Sequence, residues 1–261
     1  ALQTFSGHAL TVSTCALSPS ESRLWTGSRD ASVRAWDVET GQKQAAHFMP
    51  RNLVTCLKCL PGDEHLAAQG SEDLTLRVWD ARQAPRLAAA ETLGGYTYFP
   101  LCVDVSLADG GGRFLLTSQK GFNSVGCDAW LWDRHAGRVL QKFVGHSQDA
   151  TACAFLPSEG HDGNGGVGRG GGGGCGSGSG QSDADGAEGF VITASKDQTM
   201  KVWSIATGLP VAEYVDPRCG MYTGIAIAPS LDEDGGGGGG SGGSSTRIFA
   251  TSITGGLHVL R

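Results

Sequence analysis

An all-β chain assembled from repeated antiparallel units is what this sequence predicts, and three observations carry the prediction. A segment ending in Trp-Asp or Trp-Ser recurs at Thr26–Asp37, Gly70–Asp80 and Ala194–Ser204, each time with an aspartate six residues before the tryptophan (Asp30/Trp36, Asp73/Trp79, Asp197/Trp203). A second block recurs upstream of each, at Val12–Pro19, Val54–Pro61, Ala150–Pro157 and Tyr222–Pro229, with Pro100–Leu107 in the same frame but without the proline. The fourth and sixth positions of that block are apolar throughout (Cys15/Leu17, Leu57/Cys59, Val103/Val105, Cys153/Phe155, Ile225/Ile227), the alternation of a strand with one buried face.

Each unit therefore holds a first strand, a loop, a second strand, a tight turn around the aspartate, and a third strand closing on Trp-Asp. The proline after the first strand stops it where no further ladder donor is needed. A fourth strand follows in the complete units, as at Gln42–Phe48 and Arg138–Val144, and Asp128–Asp133 repeats the third-strand ending behind a longer, altered turn. Repeats of four strands are the blades of a β-propeller. Five blades are countable in residues 1–261, a single domain. Glycine-rich stretches at 160–189 and 232–245 both fall between the first and second strands of a blade. Lengthening such a loop from about six to about thirty residues costs only about 1.4 kcal/mol in closure entropy, so these are expected to be flexible surface insertions.

Composition narrows the class. With 39% apolar residues the chain can bury a core without staples, and its eight cysteines are too sparse for a disulfide scaffold. Neither a signal peptide nor an apolar run long enough to cross a membrane is visible, so a cytoplasmic, reducing compartment is expected and no membrane insertion. The net charge of −6, with no Lys/Arg cluster, argues against nucleic acid as a partner.

Two motifs suggest chemistry and lose it in context. Cys56 and Cys59 have the C-x-x-C spacing of a zinc or redox site. In the repeat frame they are the third and sixth residues of one strand, and residues three apart on a strand face opposite ways. Cys59 is then expected to be a small apolar core residue, with no shared metal or bridge. Gly163–Gly168 formally matches G-x-G-x-x-G, but the glycine run that follows cannot open the helix that a pyrophosphate site requires. His47, His65, His135, His161 and His258 show no metal-ligand spacing, Cys127 and Cys219 are isolated, and Cys175 lies among glycines. No metal, cofactor or small-molecule substrate is expected.

The units resemble the WD40 repeat, including its Gly-His element at Gly7-His8 and Gly145-His146. The resemblance implies a WD40 β-propeller and, in some blades, a structural tetrad of His, Ser/Thr, Asp and Trp. His8, Ser28 (or Thr26), Asp30 and Trp36 match in the first blade; His146, Ser195 (or Thr193), Asp197 and Trp203 match in the fourth. A Ser-His-Asp set invites a hydrolase reading. Its recurrence at repeat positions favours architecture instead, with polar groups satisfying one another around an indole N–H.

Most such rings have seven blades. Ala1–Phe5 reads as the outer strand of a preceding blade and Leu257–Arg261 as a third strand with Leu260 at the tryptophan position. Either Ala1–Phe5 completes the last blade and closes five blades, or the chain is part of a seven-bladed ring; the second is the expectation. A narrower likeness is carried by Ser6–Val12 with Leu24–Asp30, by Arg51–Thr55, Ser71–Asp80 and Lys120–Asp133, and by Gly256–Arg261. These segments look like the WD-repeat-containing protein 31 family, which implies association with cilia.

The expected function is a non-catalytic protein-interaction scaffold in a multi-subunit complex, ciliary or cytoskeletal, located in the cytoplasm or a cilium or flagellum. The alternative is an accessory regulator of an enzyme, a small GTPase or a ubiquitin ligase. The contact residues expected from the turns before the third strands are Arg29, Glu72, Phe122, Asn123 and Lys196.

Overall fold

A computed structural model of the chain describes residues 3–50, 52–108, 110–157, 189–218, 220–229 and 246–260. The expectations for the glycine-rich insertions, the Gly163–Gly168 motif, His161, Cys175 and Cys219 lie outside the described residues.

The described residues form five antiparallel sheets and no helix. Blade one is β1 (Val12–Leu17), β2 (Arg23–Ser28), β3 (Ser32–Asp37) and β4 (Lys43–Phe48); blade two is β5 (Val54–Cys59), β6 (Leu66–Ser71), β7 (Thr75–Asp80) and β8 (Ala88–Leu93). Blade three is β9 (Pro100–Val105), β10 (Phe114–Gln119), β11 (Ala129–Asp133) and β12 (Arg138–Phe143). Blade four is β13 (Ala150–Leu156), β14 (Phe190–Ser195), β15 (Thr199–Ser204) and β16 (Pro210–Val215). Blade five has three strands, β17 (Tyr222–Pro229), β18 (Thr246–Ser252) and β19 (Leu257–Leu260). Strand order follows chain order in every sheet, the up-and-down meander of a propeller blade.

The core lies between blades rather than within them. Trp25, Val33 and Ala45 of blade one pack on Leu57, Ala67 and Trp79 of blade two. Leu60, Leu76 and Leu93 meet Val103, Leu115 and Trp132 at the next boundary, and Phe114, Leu131 and Phe143 meet Cys153, Val191 and Trp203 at the third. The boundary between blades four and five is thinner, built on Ala152, Ala194, Met200, Tyr222 and Ala250. First strands pack side by side along the series β1, β5, β9, β13, β17, with no packing of comparable extent between β17 and β1.

Two expectations change here. Residues 3–8 belong to no strand, so the described part of Ala1–Phe5 is not a paired outer strand, and blade five has no fourth strand among the described residues. The segment nevertheless occupies the place of an outer strand. The Phe5 ring meets Trp36 at 6.0 Å between centroids, as Phe143 meets Trp203 at 5.9 Å. A Cβ on Gly41 would run into the Gln3 amide just as one on Gly208 would run into Gln141. Among the described residues these side-chain contacts are made without β pairing.

The second change concerns the cysteines. Cys56 joins the cluster between blades two and three while Cys59 packs against the one between blades one and two, on opposite faces of β5. Cys56 is the buried member and Cys59, at the strand's end, is only half-buried. Both are free thiols, and burial pushes each up to about 12. No group of His, Cys, Asp or Glu suited to a metal ion occurs among the described residues.

Candidate protein-binding face

Blades one and four are braced by matching polar chains. His8 Nδ1–H donates to Asp30 Oδ2 at 2.9 Å, the Thr26 hydroxyl donates to His8 Nε2 at 2.8 Å, and Trp36 Nε1–H donates to Thr26 Oγ1 at 2.8 Å. The tautomer follows because the indole only donates and the carboxylate only accepts. In blade four His146, Asp197, Thr193 and Trp203 repeat the chain at 3.0, 2.7 and 2.8 Å.

The hydroxyl member is therefore Thr26 or Thr193, which corrects the assignment to Ser28 and Ser195. Two residues further along the strand puts a side chain roughly 7 Å nearer the turn, beyond the indole. There Ser28 donates to the carbonyls of Leu10 and Thr11 and accepts Asp30 N–H, and Ser195 does the same with Gln148 O and Asp197 N–H. The order Asp–His–Thr is that of a hydrolytic triad. However, Thr193 is fully buried, its lone pair is taken by an indole N–H, and the set occurs twice, so the chain serves to pin strands together.

Burial alone would raise Asp30, but hydrogen bonds from Ser32, Ala9 N–H and His8 outweigh it and hold the carboxyl well below the usual range. Asp197 is likewise opposed by burial and lowered by His146, Thr199 and Ser147 N–H. A carboxyl held low in the folded state adds stability above pH about 4 and loses that contribution as pH falls further.

Blades two and three use substitutes. Gln69 stands where Thr26 does, and Trp79 Nε1–H donates to its Oε1 at 3.0 Å; Asn52 accepts Asp73 N–H at 3.2 Å. In blade three Tyr96 occupies the histidine's position, four residues ahead of the first strand. Its hydroxyl meets Thr117 Oγ1 at 3.1 Å and its ring stacks on Trp130 at 4.9 Å. In blade three an aromatic stack thus stands in the place of the imidazole.

These braces hold the turns between second and third strands at one rim. The first turn residue of every blade donates its N–H to the loop entering that blade. Arg29 bonds Thr11 O at 2.9 Å, Glu72 Leu53 O at 3.1 Å, Lys120 Phe99 O at 3.0 Å, Lys196 Asp149 O at 3.0 Å and Ile253 Met221 O at 2.9 Å. Arg29, Glu72 and Lys196 thus occupy equivalent places, whereas in blade three the equivalent residue is Lys120. Phe122 and Asn123 lie beyond it, on an inserted hairpin.

That hairpin is tight. Phe122 and Val125 exchange backbone hydrogen bonds at 2.9 and 3.0 Å, and Asn123 and Ser124 between them have φ of 48° and 65°, the left-handed pair of a type I′ turn. Ser124 N–H ties it to Ser147 O at 3.0 Å, and Gly126 (φ 73°) lies where any Cβ would collide with the Tyr98 ring. Phe122 is 70% exposed and Val125 57%, so the ring does not fold back onto its own blade.

Beside the hairpin a cleft of about 330 Å³ is lined by Phe99, Leu101, Lys120, Asp149, Lys196 and Thr223, among others. Of the five contact residues named from sequence it brings in Lys196 alone. Arg29 and Glu72 stand on the rim of other blades, and Phe122 and Asn123 rise from Lys120 at the cleft's edge. Lys120 and Asp149 were missed; the signal for Lys120 was its place after the second strand, hidden by the lengthened turn.

The family described as WD domain, G-beta repeat matches residues 1–37 and 42–80. These two stretches are WD40 repeats, the second running from β4 through β7. The other described blades share their strand order, so the fold is that of a WD40 β-propeller. Over 34% of its length the chain is 39% identical to 20% of a ribosome biogenesis protein WDR12 homolog of Oryza sativa subsp. japonica. It is 28% identical, over 59% of its length and 42% of the relative's, to a guanine nucleotide-binding protein subunit beta of Solanum tuberosum. To the nuclear distribution protein nudF of Aspergillus niger it is 20% identical over 77% of its length and 51% of the relative's. The chain thus spans between a fifth and about half the length of these curated relatives. They support WD40 repeats and lend nothing to the narrower WD-repeat-containing protein 31 resemblance. No helix among the described residues is long and apolar enough to cross a membrane.

Proposed function

We propose that this WD40 chain is a non-catalytic scaffold that docks other proteins on the rim bearing Arg29, Glu72, Phe122, Asn123 and Lys196. The observation that carries this reading is the hairpin, which holds an exposed aromatic ring on a pre-ordered backbone, so that little ordering entropy is lost on binding. Phe122→Ala combined with Arg29→Ala, made in the full chain and compared with wild type by affinity capture and mass spectrometry, is expected to lose specific partners. An unchanged partner set would remove the rim from consideration.

The narrower setting, a ciliary or cytoskeletal complex reached from the cytoplasm, rests on the resemblance carried by Lys120–Asp133. A second reading, regulation of a nucleotide-hydrolysing enzyme, is favoured by the likeness to a guanine nucleotide-binding protein beta subunit. It is distinguished by a changed turnover when the purified chain is added to its captured enzyme.

A further inference from the structure

The cleft at the foot of the hairpin carries an uncompensated positive charge. Asp149 is buried and both its carboxylate oxygens are engaged, one by Gly121 N–H at 3.0 Å and the other by Lys196 Nζ at 2.7 Å. Its charge is thereby cancelled by Lys196. Lys120 is exposed, its Nζ sits 5.0 Å from the centre of the Phe99 ring, and it makes no ion pair among the described residues. Four residues of one short loop thus set out two different surfaces. Lys120 presents a cation at the cleft, Gly121 anchors the loop to the buried carboxylate, and Phe122 with Val125 presents an apolar tip.

We infer that the segment recognised here is an acidic peptide, placing a carboxylate on Lys120 and an adjoining apolar side chain on Phe122 and Val125. The inference rests on the scaffold reading and adds to it the chemistry of the partner. An ammonium beside an aromatic ring still has N–H donors free of any acceptor, and a carboxylate arriving there forms a charge-assisted bond. The apolar tip then fixes where along the peptide that carboxylate must lie. Nucleic acid is the less fitting polyanion, since Lys120 at this cleft, on a chain of net charge −6, offers no track for a phosphate backbone.

Arrays of short random peptides in three compositions, acidic with apolar, basic with apolar, and uncharged apolar, test the idea on the full-length chain. The acidic set is expected to be enriched, with binding that weakens as salt rises. Lys120→Gln and Phe122→Ala should each weaken a selected peptide about tenfold, and Glu39→Ala, in the exposed turn between β3 and β4 at the other end of blade one, by less than about twofold. Both replaced residues are exposed, so melting temperatures should match wild type. Equal capture of basic or uncharged peptides, or full affinity in Lys120→Gln, would overturn the inference. So would displacement of the peptide by a single-stranded oligonucleotide. If cellular partners still depend on Phe122 while the arrays show no acidic preference, the inference fails and the scaffold reading stands. If neither depends on Phe122, both fail.

Discussion

At Thr193 one hydroxyl serves two rings, donating to His146 Nε2 and accepting from Trp203 Nε1–H. Replacing it with valine keeps the shape and strips both partners at once, leaving an imidazole nitrogen and an indole N–H unpaired in a fully buried place. Each orphaned group costs about 1–3 kcal/mol, so Thr193→Val should lower unfolding free energy by about 2–6 kcal/mol. Thr193→Ser retains the hydroxyl and loses only a methyl, so a cost near 1 kcal/mol is expected. Equal midpoints for the two variants in urea would show that the hydroxyl is not what braces the blade. The residue types of this tetrad were legible in the sequence, because Gly-His, the turn aspartate and the tryptophan recur. Which of two hydroxyls two residues apart would be used was not, since both face the same side of the strand and only reach separates them.

At the scale of elements, the same irregularities recur in every blade. The first strand is bulged around its second residue, at Ser13, Thr55, Leu101, Thr151 and Thr223, and the fourth pairs through a bulge just before the tryptophan in each complete blade. A bulge re-aims a side chain. Here it sends the hydroxyls of Ser13, Thr55 and Thr151 across to Val54 O, Pro100 O and Tyr222 O of the next blade at 2.6, 2.6 and 2.8 Å. The repeated Ser/Thr was visible in the sequence, but its reach between blades was not, because strand alternation says nothing of a bulge. Strand count, order and the aspartate turns were readable, since periodicity and turn chemistry are local. The hairpin at Phe122 was readable only as a lengthened turn, its φ values being set by contacts with Ser147 and Tyr98.

The aspartate turns also place a residue in left-handed backbone, Ala31, Leu74 and Gln198, with φ of 64°, 63° and 69°. A side chain there costs about 1–2 kcal/mol, part of which glycine returns in greater freedom of the unfolded chain. Gln198→Gly should therefore stabilise by about 0.5–1 kcal/mol. A lowered urea midpoint would mean that the Gln198 side chain makes a contribution of its own.

The whole molecule is a row of blades held by boundaries of unequal strength. The first three boundaries bury large side chains, Trp25, Trp79, Leu60, Leu115, Phe143 and Trp203 among them. The fourth buries mostly alanines around Tyr222 and Met200. The reason lies in β16, which is exposed along its whole length, with Tyr214 standing where Phe143 is buried in blade three. In repeat architectures stability approximates a sum of unit and neighbour terms, so a thin boundary opens separately from the rest. Amide hydrogen exchange should then divide the chain. Protection in β17–β19 and β16 is expected to fall well below that of β5–β11, with exchange in β13–β15 intermediate because the Thr193 tetrad braces them. Thr151→Val, which cuts the hydroxyl link to Tyr222 O, should speed exchange in β17–β19 and leave β5–β11 unchanged. Uniform protection across all five blades, or a Thr151→Val effect that reaches β5, would show that the arc opens as one unit and that the unequal boundaries do not govern its dynamics.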